Sequence, residues 1–200
     1  MSWPGHFHFL APIYDQVITH VQPERLKKLL QLPARVQLLD VGGGTGRVAQ
    51  TLAAHVDQVI VLDESMGMLQ EARDKGLPVV RAKAERLPLP GGTIARLLMV
   101  DTFHHLADQA GAVTEMMRVL SPDGWLVIQE PNIRRGVVKL VALAEKLALM
   151  RSHFCSLQKM WRMFEAAGGR VTLAHDEPSF WLVVEKATQC TVQVETGLWR

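Results

Sequence analysis

The chain is poor in the residues that mark secreted scaffolds. Of 200 residues only Cys155 and Cys190 are cysteine, and their separation matches no metal-binding or redox spacing. Disulfide frameworks need denser cysteine in shorter chains, so that class is excluded and a reduced, cytoplasmic setting fits. Tyrosine occurs once, at Tyr14, and the five tryptophans are scattered (Trp3, Trp125, Trp161, Trp181, Trp199). They form no stacking platform of the kind that holds single-stranded nucleic acid. Charge of one sign is lacking too. Twenty-two Lys and Arg against 20 Asp and Glu leave +2, short of a nucleic-acid footprint. The longest apolar run, residues 137–150, is interrupted by Lys139, Glu145 and Lys146. It also falls short of the roughly 20 residues that a membrane span needs. The opening MSWPGHFHFL has neither the basic start nor the apolar stretch of a signal peptide.

What is present is core-forming. Hydrophobic residues make up 48% and charged residues 21% of the chain, enough for one packed domain and against wholesale disorder. Short apolar runs alternate with amphipathic ones, the pattern of a layered α/β fold. Helix is predicted from Pro12, with Pro23-Glu24 opening a second short helix through Leu32. Strands are predicted at 36–41, 59–62, 78–81, 94–100 and 125–129. Helices fall at 46–54, 65–75 (stopped by Gly76), 108–120, 136–150 and 156–167. Residues 87–92 read as loop and 121–124, Ser-Pro-Asp-Gly, as a turn. Residues 170–175 and 179–185 read as a closing antiparallel pair. No repeat, low-complexity segment or linker interrupts the series.

Chemistry first shows at Asp40-Val41-Gly42-Gly43-Gly44-Thr45-Gly46. Here a strand turns sharply into a helix while its backbone comes close to a ligand, and glycine permits both. The helix start offers unpaired N–H groups, at the strand end where open α/β sheets bind nucleotides. Residues 44–49 can be laid on the G-x-G-x-x-A dinucleotide fingerprint, but registering from Gly42 puts Arg47 where a small residue belongs. Asp40 argues further against a pyrophosphate, which its carboxylate would repel. It suits an ammonium or sulfonium; the plainer reading is a turn acid that caps the helix. Asp63, 17 residues after Gly46 and ending the next strand, can accept both hydroxyls of a ribose or cap the helix from Ser65.

At this point the residues resemble a family. LLDVGGGTGRVA, VIVLDESMGML, AKAERLPLP, VDTFHHL and EMMRVLSPDGWLVIQEP come in the order and spacing of small class I methyltransferases. These are Rossmann-like enzymes that use S-adenosylmethionine, and the likeness is to the group holding ubiquinone and menaquinone C-methyltransferases. It covers roughly residues 9–131, including the leader FHFLAPIYDQV with Tyr14, and the rest in outline. It implies a three-layer, Rossmann-like α/β sheet of seven strands, mostly parallel with the last antiparallel. It also implies one domain: a helical cap (1–33), a cofactor-binding core (34–131), a lid and helix (132–168), closing strands (169–186) and a tail (187–200).

By the same resemblance Tyr14 joins the cofactor site, and Asp40, Gly42, Gly44 and Gly46 line the methionine half of S-adenosylmethionine. Asp63 holds the ribose, Ser65 and Met66 follow at the family's spacing with Met66 walling the adenine, and Ala84 offers its N–H to the adenine edge. Lys83 stands where the family commonly has an acid, so Glu85 or a backbone carbonyl must accept from the adenine amino group. Asp101 opens the stretch that passes under the sulfonium. His104 and His105, after it, are candidates for a general base or belong to the scaffold. Residues 129–132 lie at the same edge and could meet substrate.

Other features have plainer readings. His6 and His8 sit near a terminus as solvated residues, and no metal set is read from the sequence. Glu115 and Arg118 read as a surface pair. The apolar helix at 136–150 reads either as a lid over an apolar substrate or as a core or dimer helix. The expected activity is methyl transfer to a small, apolar or aromatic acceptor. A non-catalytic cofactor-binding partner or sensor of the same fold is the alternative. A dinucleotide-dependent oxidoreductase is disfavoured by Asp40 and by the lack of a Tyr-x-x-x-Lys pair. Nucleic acid and membrane are not expected partners, and a homodimer stays open.

Overall fold

The structure, a computed structural model, describes residues 22–131, 155–176 and 179–187. Tyr14, His6, His8, the 136–150 segment and the tail lie outside them. The chain order is α1 (Pro23–Leu29), β1 (Gln37–Val41), α2 (Arg47–Leu52), β2 (Gln58–Asp63), α3 (Met66–Asp74), β3 (Val79–Arg81), β4 (Ile94–Val100), α4 (Gln109–Val119), β5 (Leu120–Pro131), α5 (Leu157–Ala166), β6 (Gly169–Asp176) and β7 (Ser179–Lys186).

The strands form one sheet in the order β3-β2-β1-β4-β5-β7-β6. β3, β2, β1, β4 and β5 run parallel to their neighbours, and β7 lies antiparallel between β5 and β6. The central strands are apolar without alternation, and β1 buries every residue after Gln37, as a strand covered on both faces must. Leu38 then enters one apolar layer with Leu26, Leu30, Leu52, Val61, Leu98 and Trp181. Leu39 enters the other with Leu62, Leu97, Met99, Ile128, Phe103 and Phe164. Strand order reverses between β1 and β4, whose adjoining ends carry Asp40 and Asp101. Open α/β sheets keep their ligand crevice at that place.

Two boundaries depart from the sequence reading. α1 stops at Leu29, not Leu32: Gln31 takes φ 54°, Arg96 Nε donates to the Leu30 carbonyl at 2.7 Å, and Pro33 biases Leu32 away from helix. The Ser121-Pro122-Asp123-Gly124 turn does not precede β5 but interrupts it. Leu120 already pairs with Ile94 before Trp125 pairs with Arg96, so four residues bulge out opposite Ala95, with Asp123 at φ 56°. Burial of Leu120 draws that early pairing into the sheet. The closing pair falls as expected, with Arg170 opposite Glu185.

Candidate functional site at the ends of β1, β2 and β4

The three positive-φ glycines of the turn do three different things. A Cβ on Gly42 would fall on the side chain of Thr102, and one on Gly46 would fall on Leu77 Cδ1. These two let the turn pack against β4's end and against the apolar layer. Gly46 also spends its N–H on the Gly43 carbonyl at 2.9 Å, which leaves it no donor for a ligand. Gly44, at φ 54°, has nothing nearer its Cβ position than Met68 Sδ at 3.9 Å. Its missing side chain leaves open space.

Asp40 lies beneath this turn, 1% exposed, and among the described residues neither carboxylate oxygen has a hydrogen-bond partner. It therefore caps no helix. Burial, then the charge of Asp63, push its pKa up to about 7, against the pull of Arg47. An unpartnered buried carboxylate is costly, and such a group is satisfied by a cation or donor brought by a ligand.

Asp63, half-buried, accepts from Ser65 N–H at 2.8 Å through Oδ1 and from Gly44 N–H at 3.1 Å through Oδ2. Burial raises its pKa even so. The cap of α3 is instead Ser65, whose Oγ accepts from Met68 N–H at 3.4 Å. The Glu64 N–H also acts on this carboxylate, and with about four acceptor sites in all Asp63 can still accept from a ligand hydroxyl, the chemistry of diol recognition. Met66, at the start of α3, is the one large hydrophobic residue exposed among the described residues, at 42%. Ala84 is buried and Lys83 exposed. Glu85 lends Oε1 to the Asp108 N–H at 3.4 Å.

At the end of β4, Asp101 takes φ 50° and its N–H donates to the Gln129 carbonyl at 3.0 Å. Thr102, which the sequence reading passed over, shares its hydroxyl proton between the carbonyls of Gly42 at 3.1 Å and Val100 at 2.9 Å. It bolts β4's end to the glycine turn; nothing local in the sequence signals that contact. The two histidines separate in role. His104 is buried with Nδ1 2.6 Å from Glu130 Oε2. His105 is partly exposed beside it, with ring centroids 4.0 Å apart. Burial and then the charge of His104 hold the pKa of His105 down at about 3. A base so weak stays neutral at physiological pH and acts as a hydrogen-bonding group. Glu130, in the stretch that could meet substrate, is itself 3% exposed and bonded to this turn.

Glu115 and Arg118 pair as expected, with Arg118 Nε 2.7 Å from Glu115 Oε1. The pair also staples the loop after Ala84: Arg118 donates to the Leu87 and Leu89 carbonyls, and Glu115 accepts from Leu87 N–H.

Residues 39–128 match a family described as Methyltransferase domain. The chain is 32% identical over 131 residues to the chloroplastic 2-methyl-6-phytyl-1,4-hydroquinone methyltransferase 1 of Oryza sativa subsp. japonica, covering 59% of this chain and 39% of that protein. It is 36% identical over 132 residues to the malonyl-[acyl-carrier protein] O-methyltransferase of Geobacter sulfurreducens, covering 59% and 48%. The chain thus spans less than half the length of these two relatives. In fold it is similar to a SAM-dependent methyltransferase from Aquifex aeolicus, with TM-score 0.69 and 22% identity over 94% of this chain and 100% of that one. The domain match spans the sheet from β1 to β5, with the glycine turn, Asp40 and Asp63 inside it, so the likeness to a methyltransferase domain rests on residues 39–128 and on the fold.

Proposed function

We propose that the chain binds S-adenosylmethionine in the crevice between β1 and β4 and transfers its methyl group to a small apolar or aromatic acceptor. Asp40 carries this reading. A carboxylate buried with no hydrogen-bond partner among the described residues, at the end of β1, fits a cationic ligand and opposes a pyrophosphate. The open space at Gly44 and the remaining acceptor capacity of Asp63 fit the same molecule.

When bound, the cofactor supplies a methyl group made electrophilic by a positively charged sulfur, so the protein mainly aligns partners and excludes water. Asp40 offers negative charge to the methionine half, within a turn whose Gly42 and Gly44 let the backbone come close. Asp63 accepts the ribose hydroxyls, with Ser65 fixing the start of α3. Met66 presents an apolar surface to the adenine, and Ala84 its N–H. With Glu85 turned toward Asp108, a backbone carbonyl is left to accept from the adenine amino group. Asp101 and His105 border the space beyond the sulfur, and His105, neutral, can hydrogen-bond an acceptor hydroxyl. Tyr14 completes the cofactor site in this reading. The small-molecule acceptor is supported by the hydroquinone named for the rice relative, while the acyl-carrier substrate named for the other keeps the class broad.

Calorimetry of the full chain with S-adenosylmethionine, S-adenosylhomocysteine and NADH, followed by methyl transfer to a panel of quinols and phenols, tests both halves. We expect the two sulfur ligands to bind, NADH not to bind, and a methylated quinol or phenol to form. NADH binding alone would overturn the cofactor assignment. Tight cofactor binding with no product on any acceptor would turn the reading to a non-catalytic binder.

A further inference from the structure

Glu130 is a charged residue buried to 3% exposure at the end of β5, and both of its oxygens are engaged on one short turn. Oε1 accepts from the Phe103 N–H at 2.8 Å. Oε2 lies 2.6 Å from His104 Nδ1, and because a carboxylate only accepts, Nδ1 carries the proton. The turn so held, Phe103–His105, leaves the end of β4 next to Asp101 and Thr102. Phe103 packs on Phe164 of α5 with ring centroids 6.5 Å apart, and His104 packs on His105 at 4.0 Å. A buried acid is expensive to keep unless each oxygen is satisfied, and here each bond fixes a different part of the same three residues. One end of the turn is fixed through the backbone and the middle through an imidazole. His105, the last residue of the turn, is the partly exposed one.

We propose that Glu130 is a positioning residue for the acceptor side of the crevice: it locks the Phe103–His105 turn and the proton of His104, and thereby sets how His105 is presented. That the turn meets the acceptor rests on the proposed methyl transfer; the bonds of Glu130 do not. In this arrangement a plain core acid is distinguished from a positioning one by what happens at His105, which Glu130 reaches through His104.

The test is ring-nitrogen NMR of the full chain, labelled in histidine, across pH 5–8, for the wild type and Glu130→Gln. In the wild type His105 stays neutral throughout, and the His104 Nδ1 proton is held against exchange. In Glu130→Gln that protection is lost and the ring-nitrogen shifts of His105 move while its ring stays neutral, because the turn that presents it is no longer held. Affinity for S-adenosylhomocysteine stays within about threefold, less than the tenfold that 1.4 kcal/mol would cause. A variant that loses thermal stability while His105 keeps its wild-type shifts and titration would show a merely structural acid and overturn the proposal. Should Glu130→Gln fail to fold, His104→Phe, which keeps a ring in place and removes the Nδ1 bond to Oε2, gives the same readout: an unmoved His105 there overturns it equally. Failure of the wild type to bind S-adenosylhomocysteine would strike the proposed function and leave the histidine result intact.

Discussion

The carboxylate of Asp63 receives the N–H of Gly44 across 3.1 Å, tying the end of β2 directly to the turn that leaves β1. A residue read as a ligand group is thus also a brace for the loop beside it. Its second oxygen braces the start of α3 through Ser65, so one side chain holds three chain segments around the same opening.

Replacing Asp63 with Ala should therefore act twice. Loss of the acceptors for ribose hydroxyls weakens S-adenosylhomocysteine by about 1.5–3 kcal/mol, the range for hydrogen bonds to a charged group. The freed N–H groups of Gly44 and Ser65 also cost stability, on the order of 1 kcal/mol, since neither is fully solvated. Calorimetry and denaturant titration on one preparation separate the two effects. Wild-type affinity in Asp63→Ala would remove this residue from the site.

The glycines of the turn should respond differently to a side chain. Gly44→Val places its methyls in open space, 3.9 Å or more from the nearest neighbour of its Cβ. The cost is backbone strain at φ 54°, about 1–2 kcal/mol, together with loss of ligand binding. Gly46→Ala drives its methyl into Leu77 and Ala72, inside a packed layer, and should unfold the protein more readily, by about 1–3 kcal/mol beyond the strain. A folded Gly44→Val that binds normally would show that the space above Gly44 is not the cofactor's.

Thr102→Val keeps the shape that fills the place of a Gly42 side chain and deletes only the hydroxyl shared between the Gly42 and Val100 carbonyls. We expect a loss of about 0.5–1.5 kcal/mol in stability and a comparable loss in S-adenosylhomocysteine affinity, because the glycine turn loses its tie to β4. An affinity that is unchanged while stability falls would confine Thr102 to the scaffold.

These residues also show what could be read without coordinates. The parallel strands were legible because each is a short apolar run closed by a helix start, and Asp40 and Asp63 were legible because an acid ending such a run is conspicuous. Thr102 was not: its contact with Gly42 spans 60 residues and exists only because β4 lies next to β1. His104 and His105 are indistinguishable as neighbours in sequence, and their separation depends on Glu130, 26 residues on. The early start of β5 escaped for a similar reason. A Ser-Pro-Asp-Gly turn looks like an end, and only the pairing of Leu120 with Ile94 makes it an interruption.

Asp40 makes the sharpest prediction, and its sign needs care. With its pKa raised from 3.8 to about 7, the folded ligand-free protein binds a proton that the unfolded chain releases. Its contribution to stability is full below pH 4 and is lost as pH rises through 7, on the order of 4 kcal/mol for a shift of this size. His105, lowered from 6.5 to about 3, acts oppositely: its contribution is present above pH 6.5 and lost as pH falls toward 3. Between pH 4 and 6.5 the two slopes oppose each other, so the wild type alone shows little. The difference between wild type and Asp40→Asn isolates Asp40. Ligand-free Asp40→Asn should gain stability over the wild type as pH is raised from 5 to 8, because its neutral amide replaces a carboxylate that is forced to ionise. Ligand binding should show the complement. If only ionised Asp40 accepts the cationic methionine half, affinity for S-adenosylhomocysteine rises about tenfold from pH 6 to 8, following the ionised fraction, and Asp40→Asn binds weakly with no such dependence. Denaturant titration and calorimetry at pH 5, 6, 7 and 8 measure both. A wild-type affinity that is flat across that range, with a stability difference that does not change with pH, would mean that Asp40 is ionised throughout and that its burial is relieved by something other than the ligand.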